Sequence, residues 1–326
     1  MARKLRLEYP GAMYHVINRG NYRAAIFAED GARQAFLGCL FEACSRAGWV
    51  LHAYVLMSNH YHLALETPQA NLVEGMRWLQ SAFANRFNRF RGENGHVFQG
   101  RYKALLVEGG DQLGAVAHYI HLNPVRAKIV PVERLAEFRD CSFAALMNPK
   151  NRPGPLQVET FLQAAGELAD TPTGRRKYLE YLAWLSKNEP AQKLLNFESM
   201  SKDWALGGTA FRLALIKDHQ AKLAQSGSKE RSPREAREFL WAQAMNAALA
   251  KLGKTSDNIS LDKKSAPWKV AVAAQLKALS TVSNVWLASQ LKMGAPDGVS
   301  RYISEVRRGE RKEAQKLLRK ISTIRV

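Results

Sequence analysis

At 326 residues and 46% hydrophobic content, the chain is long enough for two or three domains with cores of their own, yet no stretch approaches the roughly 18 to 20 uninterrupted apolar residues of a membrane span. Its 48 Lys and Arg against 29 Asp and Glu give a formal net charge of +19, distributed as +6 over residues 1–130, +2 over 131–226 and +11 over 227–326. This excess implies a polyanionic partner, against the plainer alternative of a solvated basic surface with no specific partner, and a chain with no membrane span and no apolar signal core in MARKLRLEYPGAMYHV is expected in the cytoplasm, with no membrane partner.

Met13–Arg19 (MYHVINR) alternates as a strand does, and Asp30–Ala47 has helical spacing with Gly48 as its stop. Trp49–Met57 reads as a strand, followed after Ser58-Asn59 by a second, His60–Glu66. An amphipathic helix over Asn71–Phe90, with Asn71 placed as its N-cap, stops near Gly92. Gln99–Glu108 reads as a fourth strand, and Asp111–Leu122 as a helix halted by Asn123-Pro124. The order β-α-β-β-α-β-α is, in its first six elements, that of a ferredoxin-like split βαβ unit, an antiparallel sheet with helices on one face, here with a last helix added. The expected fold class is therefore α+β, followed by an all-α region.

Beyond this unit, the Pro/Gly/Asn-rich NPKNRPGP at 148–155 marks a boundary, and SGSKERSP at 226–233 reads as a second linker. Between them, Arg175–Leu185 and the segment after Asp203 look helical with an intervening turn, a packing or connector region. From Thr281 to Gly309 the pattern predicts a helix ending at Lys292 or Met293, a GAPDG turn and a second helix opening at Val299-Ser300. Val285, Leu287, Ala288, Leu291, Val299, Ile303 and Val306 could close a helix-turn-helix core, leaving Arg301, Arg307 and Arg308 for a DNA groove; a basic hairpin that packs elsewhere is the alternative. The expected domains are residues 1–147, 148–226 and 227–326, with the helix-turn-helix at about 281–309. Cys39, Cys44 and Cys141 are too few and too scattered for a disulfide framework or a paired-cysteine zinc site, so reduced, buried thiols are expected.

Two constellations stand out. In SNHYHLALE, alternation sends His60 and His62 to one face of a strand, the geometry of a metal site and equally of two polar residues on a solvated face. In HYIHLNPVRA, Tyr119 and Asn123 are four apart and share a helical face. Taken alone, Tyr119 is a half-buried core tyrosine and Asn123 the last helical residue before Pro124.

Together these motifs resemble the single-tyrosine HUH transposases, and more closely the REP-associated tyrosine transposases of bacteria. The likeness is carried, in order, by YPGAMYHVINRGNYRAAIF, LMSNHYHLALETP, GHVFQGRYKALLVE and YIHLNPVRAKIV, over roughly residues 1–145. Tyr61 stands where the histidine motif has an aliphatic residue, an inward position that an aromatic can fill. The C-terminal pattern is similar to the helix-turn-helix appended to longer relatives. The resemblance implies a metal-dependent tyrosine DNA nuclease and strand transferase acting on single-stranded or hairpin, REP-like DNA, as monomer or homodimer in a bacterial cytoplasm and nucleoid-associated. It implies Tyr119 as nucleophile, His60, His62 and Asn123 as ligands of Mg²⁺ or Mn²⁺, and a covalent 5′-phosphotyrosine intermediate with a free 3′-hydroxyl.

The residue types suit that chemistry. A phenol must lose its proton to attack phosphorus yet can leave again, and two neutral imidazoles with an amide oxygen can hold a divalent ion while leaving positions open for DNA oxygens. Arg19, Asn21, Arg101 and Lys103 are candidates to meet phosphates, although each singly reads as well as an ordinary surface residue. The competing class is a catalytically inactive DNA-binding protein or repressor that keeps the fold, which the intact His60, His62, Tyr119 and Asn123 disfavour. A structural zinc protein lacks enough suitable ligands near His60 and His62.

Overall fold

In the computed structural model, which describes residues 7–225 and 234–324, the chain begins with β1 (Ala12–Arg19), α1 (Asp30–Ala47), β2 (Val50–Leu56), β3 (His60–Thr67), α2 (Leu72–Arg91), β4 (Lys103–Val107) and α3 (Asp111–Arg126). The four strands lie in the order β2-β3-β1-β4 with every neighbour antiparallel, the ferredoxin-like arrangement. Both α1 and α2 end as the sequence predicts, on Gly48 (φ 65°) and Gly92 (φ 64°) in the left-handed conformation. Asn71 does not cap α2 with its side chain. Its Oδ1 instead accepts from Trp49 Nε1 (2.8 Å) and its Nδ2 donates to the Ala47 carbonyl (2.9 Å), tying the end of α1 to the start of α2.

Strand alternation divides the sheet into two buried faces. On one, Tyr61 is fully buried, with its ring 4.7 Å from Phe36 of α1 and 6.0 Å from Phe98. Its aromatic ring therefore fills the inward position of the histidine motif. On the other face, His62 lies opposite Ile17 and His60 opposite Arg19 in the β1–β3 register, and α3 packs there. That helix is buried along nearly its whole length, and a Cβ on Gly114 would fall 2.1 Å from the Ala164 Cβ, so glycine permits the close crossing.

Contrary to the expected stop at Leu122, α3 continues through Pro124 to Arg126. Proline removes the one N–H that would reach back to Ile120, but Ala127 N–H still donates to the Asn123 carbonyl (2.9 Å) and the last turn closes. Asn123 is thus inside the final turn rather than at its end.

The chain continues through α4 (Ser142–Met147), α5 (Glu159–Ala164), α6 (Pro172–Lys187) and α7 (Glu189–Leu194) to β5 (Ala205–Leu206) and α8 (Thr209–Gln225). Ala205 and Leu206 are not helical: they add a short parallel strand to β4, and α8 starts only after Gly207 and Gly208. Phe143, Phe161, Tyr178, Leu182, Phe197 and Met200 join the same hydrophobic core as the sheet. Residues 1–228 form one unit and 229–326 a second; the stretch 226–233 lies outside the described residues. Cys39, Cys44 and Cys141 are free and buried, and among the described residues no helix is long and apolar enough to cross a membrane.

The second unit is helical: α9 (Arg234–Lys251), α10 (Ser256–Leu261), α11 (Pro267–Leu279), α12 (Asn284–Gln290), α13 (Pro296–Arg307) and α14 (Lys312–Ile321). Here α12 ends earlier than expected and α13 opens three residues sooner, because Pro296 fits a first helical turn, where its missing N–H costs nothing. Leu287, Ala288, Leu291, Val299, Ile303 and Val306 are buried as expected, but Val285 is 65% exposed, and Val282 and Trp286 occupy the core instead.

Candidate active site

The histidine pair sits where β3 enters the sheet, its ring centroids 5.2 Å apart. His60 Nδ1 is 2.7 Å from Asn59 Oδ1, and Asn59 Nδ2 donates to the Arg23 carbonyl (3.3 Å), which identifies the oxygen end of that amide. His60 therefore donates from Nδ1 and keeps its lone pair on Nε2. His62 Nδ1 is 2.9 Å from Nε2 of a third imidazole, His15 of β1, whose Nδ1 is 2.8 Å from the Met200 carbonyl. Burial pushes His60 and His15 down to about 4, with Arg19 adding to the effect on His60. Burial holds His62 well below the ordinary histidine range, followed by His15, His60, Arg19 and Arg126. All three rings are neutral near pH 7.

Across from them, α3 presents Tyr119. It is 7% exposed, edge-on to His62 and to His15 with centroids 5.8 Å away in both cases, and edge-on to Phe197 at 5.4 Å. The Arg126 guanidinium lies 4.9 Å from the Tyr119 ring centroid and 5.6 Å from that of Phe197. Because α3 does not break at Pro124, Tyr119, Asn123 and Arg126 follow one another along one helical face. The structure thus brings Tyr119 and His62 together. Asn123 lies one turn farther along, and its Nδ2 bonds within the helix, donating to the Tyr119 carbonyl (3.0 Å).

Two further histidines of the motif are structural. His118 and His121 Nδ1 approach the Tyr178 hydroxyl of α6 at 2.9 and 2.8 Å, and His121 Nε2 reaches Ser142 Oγ of α4 at 2.8 Å. Burial pushes both down to about 3, so they are neutral anchors for the helix that carries Tyr119.

Among the described residues there is no group of three or more His, Cys, Asp and Glu able to hold a metal. Two neutral imidazoles would suit an ion that completes its shell with amide, phosphate or water oxygens, rather than a structural zinc.

Of the proposed DNA contacts, Arg19 is half-buried beside His60, and Asn21 Oδ1 accepts from the Tyr22 N–H (3.1 Å). Arg101 is exposed, whereas the Lys103 ammonium donates to the Ser201 carbonyl (2.8 Å) and is already engaged with the chain. In the second unit, α13 exposes Ser300, Arg301, Ser304 and Arg307, with Arg308 following. Arg301 pairs with the half-buried Glu305 (3.6 Å), which Arg311 also holds (2.6 Å), and Arg308 with Glu310 (2.8 Å), an exposed bridge that costs little to exchange for a phosphate.

Sequence reasoning missed His15, Arg126, Phe197 and Met200. Alternation puts His15 on the same face of β1 as Arg19, but only the β1–β3 register shows that this face meets His62. Arg126 would have been found seven residues after Tyr119 had the helix been extended past Pro124.

Residues 8–123 match the family model described as Transposase IS200 like. A solved structure of a REP-associated tyrosine transposase bound to a REP hairpin shares 16% identity, covering 44% of this chain and 84% of that one, with a TM-score of 0.38. Another, assigned as a transposase from Deinococcus radiodurans R1, shares 22% identity over 39% of this chain and 92% of that one, with a TM-score of 0.27. No curated protein matches the chain significantly. The segment 8–123, which holds His15, His60, His62, Tyr119 and Asn123, is thus similar to the IS200-like transposase family.

Proposed function

We propose that the protein is a single-tyrosine transposase of the REP-associated kind, a metal-dependent HUH enzyme that cleaves and rejoins single-stranded or hairpin DNA in the bacterial cytoplasm. The observation that carries this is Tyr119 standing edge-on to His62, with the Arg126 guanidinium over its ring. The phenolic oxygen of Tyr119, having lost its proton, attacks the scissile phosphorus. The bond from phosphorus to the 3′-oxygen breaks, that oxygen takes a proton, and the 5′-phosphate remains on Tyr119. Because a phenolate leaves more readily than an aliphatic alkoxide, the 3′-hydroxyl of another strand reverses the step and frees the tyrosine without any high-energy cofactor. Arg126 supplies positive charge where the phenolate forms. His60 and His62 through Nε2, and Asn123 through Oδ1, would hold the Mg²⁺ or Mn²⁺ ion, which polarises the phosphoryl group when bound.

Arg19, Asn21 and Arg101 line the approach for phosphates, with Lys103 contributing its charge. These contacts set register and do not read sequence. The connector region after residue 147 packs on the proposed catalytic part through Phe161, Tyr178, Phe197 and Met200, and 227–326 form an accessory duplex reader in which α12 and α13 make a helix-turn-helix with Arg301, Arg307 and Arg308 toward the groove. A labelled hairpin oligonucleotide with Mn²⁺ tests this. The wild type should give a covalent protein–DNA band on a denaturing gel, and Tyr119→Phe should give none while DNA affinity stays within a few-fold. Normal cleavage by Tyr119→Phe would contradict the assignment.

A further inference from the structure

We infer that His15 is a positioning residue that relays the Met200 carbonyl to His62 and so fixes which ring nitrogen of His62 offers a lone pair to the site; this rests on the reading of His62 as a ligand. A carbonyl oxygen can only accept, so the 2.8 Å contact with Met200 places the His15 proton on Nδ1. His15 is fully buried against another imidazole, where a second ring proton would make it a desolvated cation, so it carries a single ring proton. Its Nε2 is then an acceptor, and the 2.9 Å contact makes His62 Nδ1 the donor. The proton of His62 is thereby committed at Nδ1 and its lone pair at Nε2.

The opposite assignment would need His15 to donate from both nitrogens as a buried cation. The two rings lie nearly parallel, with an interplanar angle of 28° and centroids 5.1 Å apart, so the bond also holds the orientation of His62. His60 reaches the same tautomer by a separate route, through Asn59 Oδ1. Neighbouring strand residues thus present Nε2 from two independent supports, an arrangement that raises ligand basicity and fixes the ring. The relay also gives the segment between α7 and β5 a part in the site. Met200 ends the chain of bonds, and Phe197, three residues earlier, packs on Tyr119.

Long-range proton–nitrogen NMR on the metal-free full chain reads the tautomer directly, since a protonated and an unprotonated ring nitrogen have distinct nitrogen shifts. The wild type should show His62 protonated at Nδ1 and bare at Nε2. In His15→Phe, His62 should lose this preference while His60 keeps its own, and affinity for Mn²⁺ alone should fall about 10- to 100-fold. In His15→Gln the amide can donate to Met200 and accept from His62, so the tautomer and much of the affinity should return. A His62 protonated at Nε2 in the wild type overturns the inference and needs no variant. So does a His15→Phe protein that keeps both tautomer and Mn²⁺ affinity. These readouts involve no DNA, so they stand or fall separately from the cleavage chemistry assigned to Tyr119.

Discussion

The Arg126 guanidinium lies 4.9 Å from the centroid of the Tyr119 ring, which on the proposed reading gains negative charge during attack and release. A fixed cation at such a point contributes far more to a transition state than to a ground state. Arg126→Ala should therefore slow single-turnover cleavage by about 10²- to 10³-fold. The melting temperature should barely move, because Arg126 is exposed and a cation–π contact made by an exposed cation contributes only about 0.5–1 kcal/mol. Cleavage within two-fold of wild type would remove Arg126 from the chemistry. At this scale the sequence was informative wherever a residue's role follows from local geometry. Period-two alternation places His60 and His62 together, and period 3.6 places Tyr119 with Asn123. His15 escaped because its partner lies across a strand pairing 47 residues away, and nothing in a linear pattern sets that register.

Helix α3 carries the tyrosine, and its position depends on a polar anchor in an otherwise apolar core. The Tyr178 hydroxyl serves both His118 and His121, accepting from one Nδ1–H and donating to the other ring. Tyr178→Phe leaves two buried imidazole nitrogens without that partner and should cost about 1–3 kcal/mol, read as a lower urea midpoint. An unchanged midpoint would mean that the network does not anchor the helix. The same histidines make the fold acid-sensitive. Unfolded, they titrate near 6.5, and folded only near 3, so below 6.5 the unfolded chain binds protons that the native state refuses. Their contribution is complete above 6.5 and declines as pH falls toward 3, by up to about 1.4 kcal/mol per pH unit for each. Urea unfolding at pH 7.5 and 5.5 should show this loss, and equal stability at both would contradict it. The elements up to α3 were legible because glycine stops and hydrophobic periods are local signals. The end of α3 was not, since a proline in a last turn forfeits a single bond and tertiary packing decides whether the helix continues. Likewise Ala205 and Leu206 become a strand only because β4 offers an edge.

For the whole molecule, the largest charge excess, +11, lies in residues 227–326, later in the sequence than the candidate site. If α13 faces a DNA groove, its arginines release counterions on binding. The triple substitution Arg301→Ala, Arg307→Ala and Arg308→Ala should then weaken binding and reduce the slope of log K against log salt by about 1 for each phosphate left without its arginine. The variant should still cleave at high DNA concentration. An unchanged salt slope would show that this face does not meet DNA. The helical character of this part was readable from its turns, but its core was not fully so: Val285 and Trp286 are adjacent apolar residues, and only packing shows that the tryptophan goes inward.

If Tyr119 is the nucleophile, it becomes joined to DNA during the reaction. Trypsin cuts after Lys103 and Arg126, giving a fragment 104–126 in which Tyr119 is the single tyrosine. After reaction with a hairpin oligonucleotide, nuclease trimming and tryptic digestion, mass spectrometry should find this fragment carrying a nucleotide 5′-phosphate on Tyr119. Efficient cleavage with fragment 104–126 unmodified, or with the adduct on another residue, would contradict the account.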